Sequence, residues 1–104
     1  VLTRHPELTA LAVSNDEMAL GAVCGAVRCR RRVPEDLSIV GFDNSPATEF
    51  FNPPLTTVAQ PLKEMGSSAM RELDLYFKSG EKHTLPVLQF DTNLVIRNST
   101  LQKK

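Results

Sequence analysis

An α/β fold, with a mostly parallel sheet and flanking helices, is predicted by three patterns that follow one another along the chain. Residues 9–14 are a short, almost unbroken apolar run. Ala19, Val23, Ala26 and Val27 then recur at helical spacing, and residues 37–42 form a second run rich in β-branched and aromatic side chains. A strand, a helix and a second strand in that order make one crossover unit, which is how neighbouring parallel strands are joined.

Each element has its own local warrant. The 9–14 run lacks polar alternation, the pattern of a parallel strand covered on both faces. Ser14, Asn15 and Asp16 are all good cap residues, and Glu17 stands three after Ser14, so a helix starts here. It is expected to end near Arg31, because Pro34 cannot continue it. After the strand at 37–42, Asp43, Asn44, Ser45 and Pro46 are dense in turn chemistry. Residues 56–59 are a third short strand. Gln60 and Pro61 then open a second helix, with Leu62, Met65, Ala69, Leu73 and Phe77 on one stripe and Gly80 placed to stop it. Across 87–97, Gln89, Asp91 and Asn93 alternate with Leu88, Phe90, Leu94 and Ile96, as on a strand with one wet face. Residues 98–104 read as a frayed tail.

The bulk numbers narrow the function classes. At 104 residues and 41% hydrophobic content the chain has the size of one small domain. Twelve Lys and Arg balance twelve Asp and Glu, so no net field draws a polyanion to it, and nucleic-acid binding by these residues is disfavoured. Residues 18–27 fall far short of the roughly 20 apolar residues of a membrane helix, and no signal peptide opens the chain. The first residue is Val1 and not a methionine, so a piece of something longer is expected. Cys24 and Cys29 are five apart on one helix, on different faces, which argues against a mutual disulfide and fits a cytoplasmic protein.

The chemistry-bearing residues gather at strand ends. Ligands of open parallel sheets sit beyond the carboxyl ends of the strands. Asn15 and Asp16 follow the first strand and Asp43 and Asn44 the second, so parallel strands would bring both clusters to one edge. Carboxylates and amides there suit a polyhydroxylated or amide-bearing ligand. Helix capping accounts as well for one of Asn15 and Asp16, and an Asx-turn for Asp43. Gly21 and Gly25 cost about 1 kcal/mol each in a helix, which close packing on the sheet would justify. Arg28, Arg30, Arg31 and Arg32 cluster where cations oppose a helix dipole. Phe50 and Phe51 are adjacent in a loop and cannot both point inward, so one covers a partner or a ligand mouth, or packs within the loop. His5 and His83 lack neighbours at metal-ligand spacing, and no nucleotide-binding or nucleophile motif occurs, so neither a cofactor nor a metal is implied. Asp16 and Asp43 around Mg²⁺ remain as an enzymatic alternative, without the adjacent acidic pair and later lysine such sites usually have.

Three ordered motifs carry a resemblance. Asn15-Asp16-Glu17-Met18-Ala19-Leu20-Gly21-Ala22, Val33-Pro34-Glu35-Asp36-Leu37-Ser38-Ile39-Val40-Gly41-Phe42-Asp43-Asn44 and Pro53-Pro54-Leu55-Thr56-Thr57-Val58-Ala59-Gln60-Pro61 resemble the carboxy-terminal signatures of the LacI/GalR repressor family. The likeness runs on to Leu94-Val95-Ile96-Arg97 and to Ser99-Thr100. It implies a part of a two-lobed sensor with the periplasmic-binding-protein fold, not an enzyme. In that family the sensor is coupled to a helix-turn-helix DNA-binding head, and nothing like that head occurs in these residues. Residues 1–60 and 85–97 would belong mainly to one lobe, and 61–80 would be a helix of the other. The resemblance further implies that Asn15 or Asp16, with Asp43, contacts a small effector of the sugar or nucleoside class, and that Gln60 lies at the crossover near it. It also implies a homodimer through Met18, Leu20 and Phe50 or Phe51. Arg30 stands where the family usually has the glycine that ends the first helix, Arg31 where it has an apolar residue, and Asn44 where a second aspartate is common. Periplasmic sugar receptors share the fold and are the runner-up, but the Val-Pro-Glu-Asp and Pro-Leu-Thr-Thr motifs favour the repressors. An interaction module that dimerises without ligand would bury Phe50 and Phe51 between chains and leave Asp43 idle.

Overall fold

A computed structural model describes residues 1–79 and 84–102. Gly80, expected to stop the second helix, His83, and the last two residues of the expected tail lie outside the described residues. The chain divides into two compact units, residues 1–59 with the chain from Asn93 on, and Gln60–Thr92.

The first unit is built on a four-stranded sheet in the order β1-β2-β3-β4, comprising β1 (Ala10–Ala12), β2 (Ser38–Asp43), β3 (Thr56–Ala59) and β4 (Asn93–Val95). The first three strands are parallel, and β4 runs antiparallel to β3. Helix α1 (Asp16–Arg28) connects β1 to β2, as the crossover pattern predicts. Its buried side chains, Asp16, Ala19, Val23 and Ala26, recur at helical spacing and meet Leu37, Ile39 and Leu55 in the core. Alternation along β2 turns Ile39 and Gly41 inward and leaves Val40 and Phe42 half-covered on the other face. That second face continues over Ala10 and Ala12, both exposed, so the expected burial of β1 on both sides is not met within the described residues.

Helix α1 ends three residues before Arg31, and the reason is local. Cys29 caps the helix, the Arg30 amide donates to the Val27 carbonyl, and the Arg31 amide reaches back to Ala26. This paired closure requires a left-handed residue, and Arg30 supplies it with φ 54°. The Arg31 guanidinium then turns away from solvent to donate to the carbonyls of Leu8 and Asp36. Arg32 pairs with Asp36 at 2.8 Å, and this hydrogen-bonded partner holds the Asp36 carboxyl well below the usual carboxylate range.

Two glycine positions contrast. A Cβ on Gly21 or Gly25 would meet nothing, so close packing on the sheet does not explain them, because both lie away from the buried stripe of α1. Gly41, in the middle of β2, is the crowded one. A Cβ there would collide with the Asp16 carboxylate and with Leu55.

The chain end is not a frayed tail at its start. Ser99 is fully buried between the diverging ends of β2 and β3. Its hydroxyl donates to the Ile39 carbonyl at 2.6 Å and accepts from the Thr56 amide at 2.8 Å, while its carbonyl accepts from the Ile39 amide at 2.8 Å. Residues 98–100 thus close a gap where the two strands have ceased to pair.

The second unit contains α2 (Leu62–Ser79), which begins directly after Pro61 and has no buried residue. The strand expected over 87–97 is formed only at Asn93–Val95. β3 offers partners only from Thr57 to Ala59, so the alternating stretch before Asn93 finds no ladder and lies with α2 instead. There Phe90, Leu88 and Leu85 border a concavity with Ala69 and Leu73.

Candidate functional site

The parallel register places the ends of β1, β2 and β3 at one edge. Ala12 pairs with Val40, and Asp43 with Ala59, so the chain leaves all three strands there. Asn15 and Asp16 follow β1, Asp43 closes β2 and Asn44 follows it. Because β4 is antiparallel, Asn93 begins its strand at the same edge, opposite Ala59. Gln60 comes next in the chain after β3 and belongs with the second unit.

The two candidates after β1 have different positions. Asn15 is the helix cap, its side-chain oxygen accepting from the Met18 amide at 2.8 Å. The Ser14 capping box is therefore not used. Asp16 is only 2% exposed and caps nothing. One of its carboxylate oxygens accepts from the Thr57 hydroxyl at 2.6 Å and the other from the Ser45 amide at 2.7 Å. A buried carboxylate is costly without such partners, and here one bond reaches β3 and the other the loop after β2. Asp16 thus joins α1, β3 and the loop after β2, and the missing side chain of Gly41 makes room for it.

The loop after β2 is unusual in backbone as well as in composition. Asp43 has φ 111° and Asn44 φ 55°, both in the left-handed region that costs residues with a Cβ about 1–2 kcal/mol. Asp43 is exposed at the edge. The Asn44 amide donates to the Thr57 hydroxyl at 3.3 Å, and its side-chain oxygen accepts from Arg97 at 3.0 Å. A concavity of about 340 Å³ opens beside it, lined by Asn44, Ser45, Pro46, Glu49, Phe50 and Arg97.

The four residues expected at a subunit contact are spread over distinct surfaces. Met18 and Leu20 are both exposed, but residues i and i+2 of a helix are about 160° apart, so the two face different ways. Met18 borders a concavity of about 390 Å³ with Leu2, Leu11 and Val13 beside β1. Val27, on the Leu20 side of α1, borders another of about 460 Å³ with Asn52 and Pro53. Phe50, in the 3-10 turn Pro46–Phe50, is 85% exposed, whereas Phe51 packs against the core.

Three contributors were not singled out in the sequence: Thr57, Arg97 and Ser99. Thr57 looked like one more strand residue, and Arg97 and Ser99 like the approach to a loose end. Their partners lie as far as 60 residues away in the chain, where local periodicity carries no signal. An isolated glycine inside a strand, at Gly41, was the available hint that a polar group approaches closely.

Comparison with known proteins agrees with this architecture. Residues 1–100 match the periplasmic binding protein-like domain. The chain is 48% identical over 92 residues to the transcriptional repressor CytR of Escherichia coli (strain K12), covering 88% of this chain and 27% of that protein. Among solved structures, the transcriptional regulator CelR–cellobiose complex superimposes with a TM-score of 0.83 at 39% identity, covering 94% of this chain and 30% of that one. A dimeric Lac repressor with a C-terminal deletion gives 0.82 at 32% identity, covering 96% of this chain and 36% of that one. The chain thus spans between about a quarter and just over a third of these three relatives, each of them a transcriptional regulator or repressor. An open, mostly parallel sheet with its polar residues at one edge, together with this match over nearly its whole length, makes the chain a member of the periplasmic binding protein-like family, in the form carried by the LacI/GalR-type transcriptional repressors.

Proposed function

We propose that these residues form the effector-sensing and dimerising segment of a cytoplasmic LacI/GalR-type repressor, in which a small sugar-like or nucleoside-like molecule modulates operator binding. DNA would be read by a helix-turn-helix domain outside the residues described. One observation carries the reading: the parallel register brings Asn15, Asp43 and Asn44 to one sheet edge, where acceptors and donors for hydroxyl groups converge. The related CelR with cellobiose supports a carbohydrate-like class of ligand.

Within the proposal the roles divide. Asp43, exposed on its left-handed turn, contacts the effector. Asp16 serves it by holding the Ser45 amide and Thr57 hydroxyl behind that turn. Asn15 contributes its amide beside the cap it makes, and Gln60 enters by its place in the chain just after β3. The homodimer uses Leu20 and Phe50, with Met18 and Phe51 at its margins. The coupling to DNA is then the differential affinity of the effector for two states of the intact protein.

A thermal-shift screen of sugars and nucleosides on the intact protein tests this. One class is expected to raise Tm, and Asp43→Ala to lower the affinity for it by tenfold or more, about 1.4 kcal/mol. A stabilising ligand whose effect survives Asp43→Ala unchanged would remove Asp43 from the site.

A further inference from the structure

We infer that Arg97 is the positioning residue that holds the effector-side turn at Asp43 and Asn44 and the 3-10 turn bearing Phe50 as one body, so that ligand at the first alters association through the second. The inference rests on the function proposed above and adds how its two surfaces communicate.

The Arg97 side chain is only 14% exposed, and each terminal nitrogen is used twice. Nη1 donates to the Thr48 hydroxyl at 3.1 Å and the Leu55 carbonyl at 2.9 Å. Nη2 donates to the Asn44 side-chain oxygen at 3.0 Å and to a Glu49 carboxylate oxygen at 3.3 Å. Its backbone is pinned as well, the Arg97 amide donating to the Thr56 hydroxyl at 2.9 Å. One planar group therefore binds the loop after β2, two adjacent residues of the 3-10 turn, and the residue before β3.

Such a fork transmits displacement. A guanidinium presents its donors in a fixed plane, so a shift of Asn44 either breaks its bond to Nη2 or rotates the plane that also carries Thr48 and Glu49. Asn44 holds a left-handed φ of 55°, and both its amide and its side-chain oxygen bond to groups from other parts of the chain. Behind it stand the Thr57 hydroxyl and, one residue on, Asp16; in front stands Arg97. The open concavity between Asn44 and Phe50 means that side-chain packing does not fill this path, and the hydrogen bonds span it. A single lysine ammonium cannot reach the same four acceptors in one plane.

The test measures dimer dissociation by sedimentation on the intact protein, alone and with saturating ribose, cellobiose or adenosine, using whichever of the three raises Tm. For the native protein the dissociation constant is expected to shift about fivefold or more with ligand. Arg97→Lys should abolish the shift, and Glu49→Ala, which removes one acceptor from the turn, should reduce it. If Arg97→Lys fails to fold, Glu49→Ala decides alone, and an undiminished shift overturns the inference. A ligand that binds without altering dissociation of the native dimer overturns it while sparing the proposed site. Binding of none of the three probes, with no dimer, overturns both.

Discussion

At the scale of single residues, the energetics are decided by which side chains a position excludes. Gly41 leaves the space that the Asp16 carboxylate occupies. We expect Gly41→Ala to cost at least about 2 kcal/mol, because it overpacks the core and pushes a buried carboxylate off its partners. Chemical denaturation will show this as a lower midpoint at unchanged slope, and a midpoint equal to the parent's would contradict the arrangement. Arg30 presents the opposite case. It holds a left-handed conformation at the end of α1 that glycine adopts without penalty. Arg30→Gly should therefore stabilise the fold by about 0.5–1 kcal/mol, after allowance for the greater freedom of glycine in the unfolded chain. A fall in Tm would mean that the arginine side chain makes a contact worth more than the strain.

At the scale of elements, the sheet depends on a segment that belongs to no strand. Parallel strands β2 and β3 pair from Val40 and Thr56 onward, and before that point their polar groups need other partners. Ser99 supplies them to Ile39 and Thr56 in a fully buried position. Ser99→Ala leaves a buried carbonyl and a buried amide each short of a bond, at an expected cost of about 2 kcal/mol or more. Hydrogen exchange gives a second readout, since the Thr56 amide should lose protection while amides in the middle of α1 keep theirs. Equal protection in both proteins would show that the hydroxyl is dispensable. The alternation in 87–97 teaches the same lesson from the other side. The pattern for a strand is present, but β3 accepts only Asn93–Val95, so a partner's length and not the pattern sets the strand's extent.

At the scale of the whole molecule, the described residues leave apolar surface that a stable monomer would not expose. β1 forms one border of the sheet, and Leu62, Met70, Leu73, Leu75 and Phe77 on α2 are all exposed. An open strand edge and an uncovered helix face both promote association. These 104 residues alone should therefore sediment as associated or segment-swapped species in a concentration-dependent way. A cooperative monomer across that range would show that the surfaces are tolerated. Charge does not prevent the association, because acidic and basic residues balance.

What the amino-acid sequence settled by itself is the order of elements, the parallel crossover and the family, since each rests on local periodicity, turn chemistry or short contiguous motifs. The cap at Asn15, or a neighbour of it, and the single inward phenylalanine were also visible on those grounds. Tertiary structure alone decided that Asp16 holds the loop after β2, that Gly41 and not Gly21 or Gly25 is the crowded glycine, that Arg97 ties that loop to the 3-10 turn, and that Ser99 is a structural member and not part of a loose end. Every one of those outcomes depends on partners brought together from distant parts of the chain, and periodicity records only which face a side chain takes, not what will be waiting there.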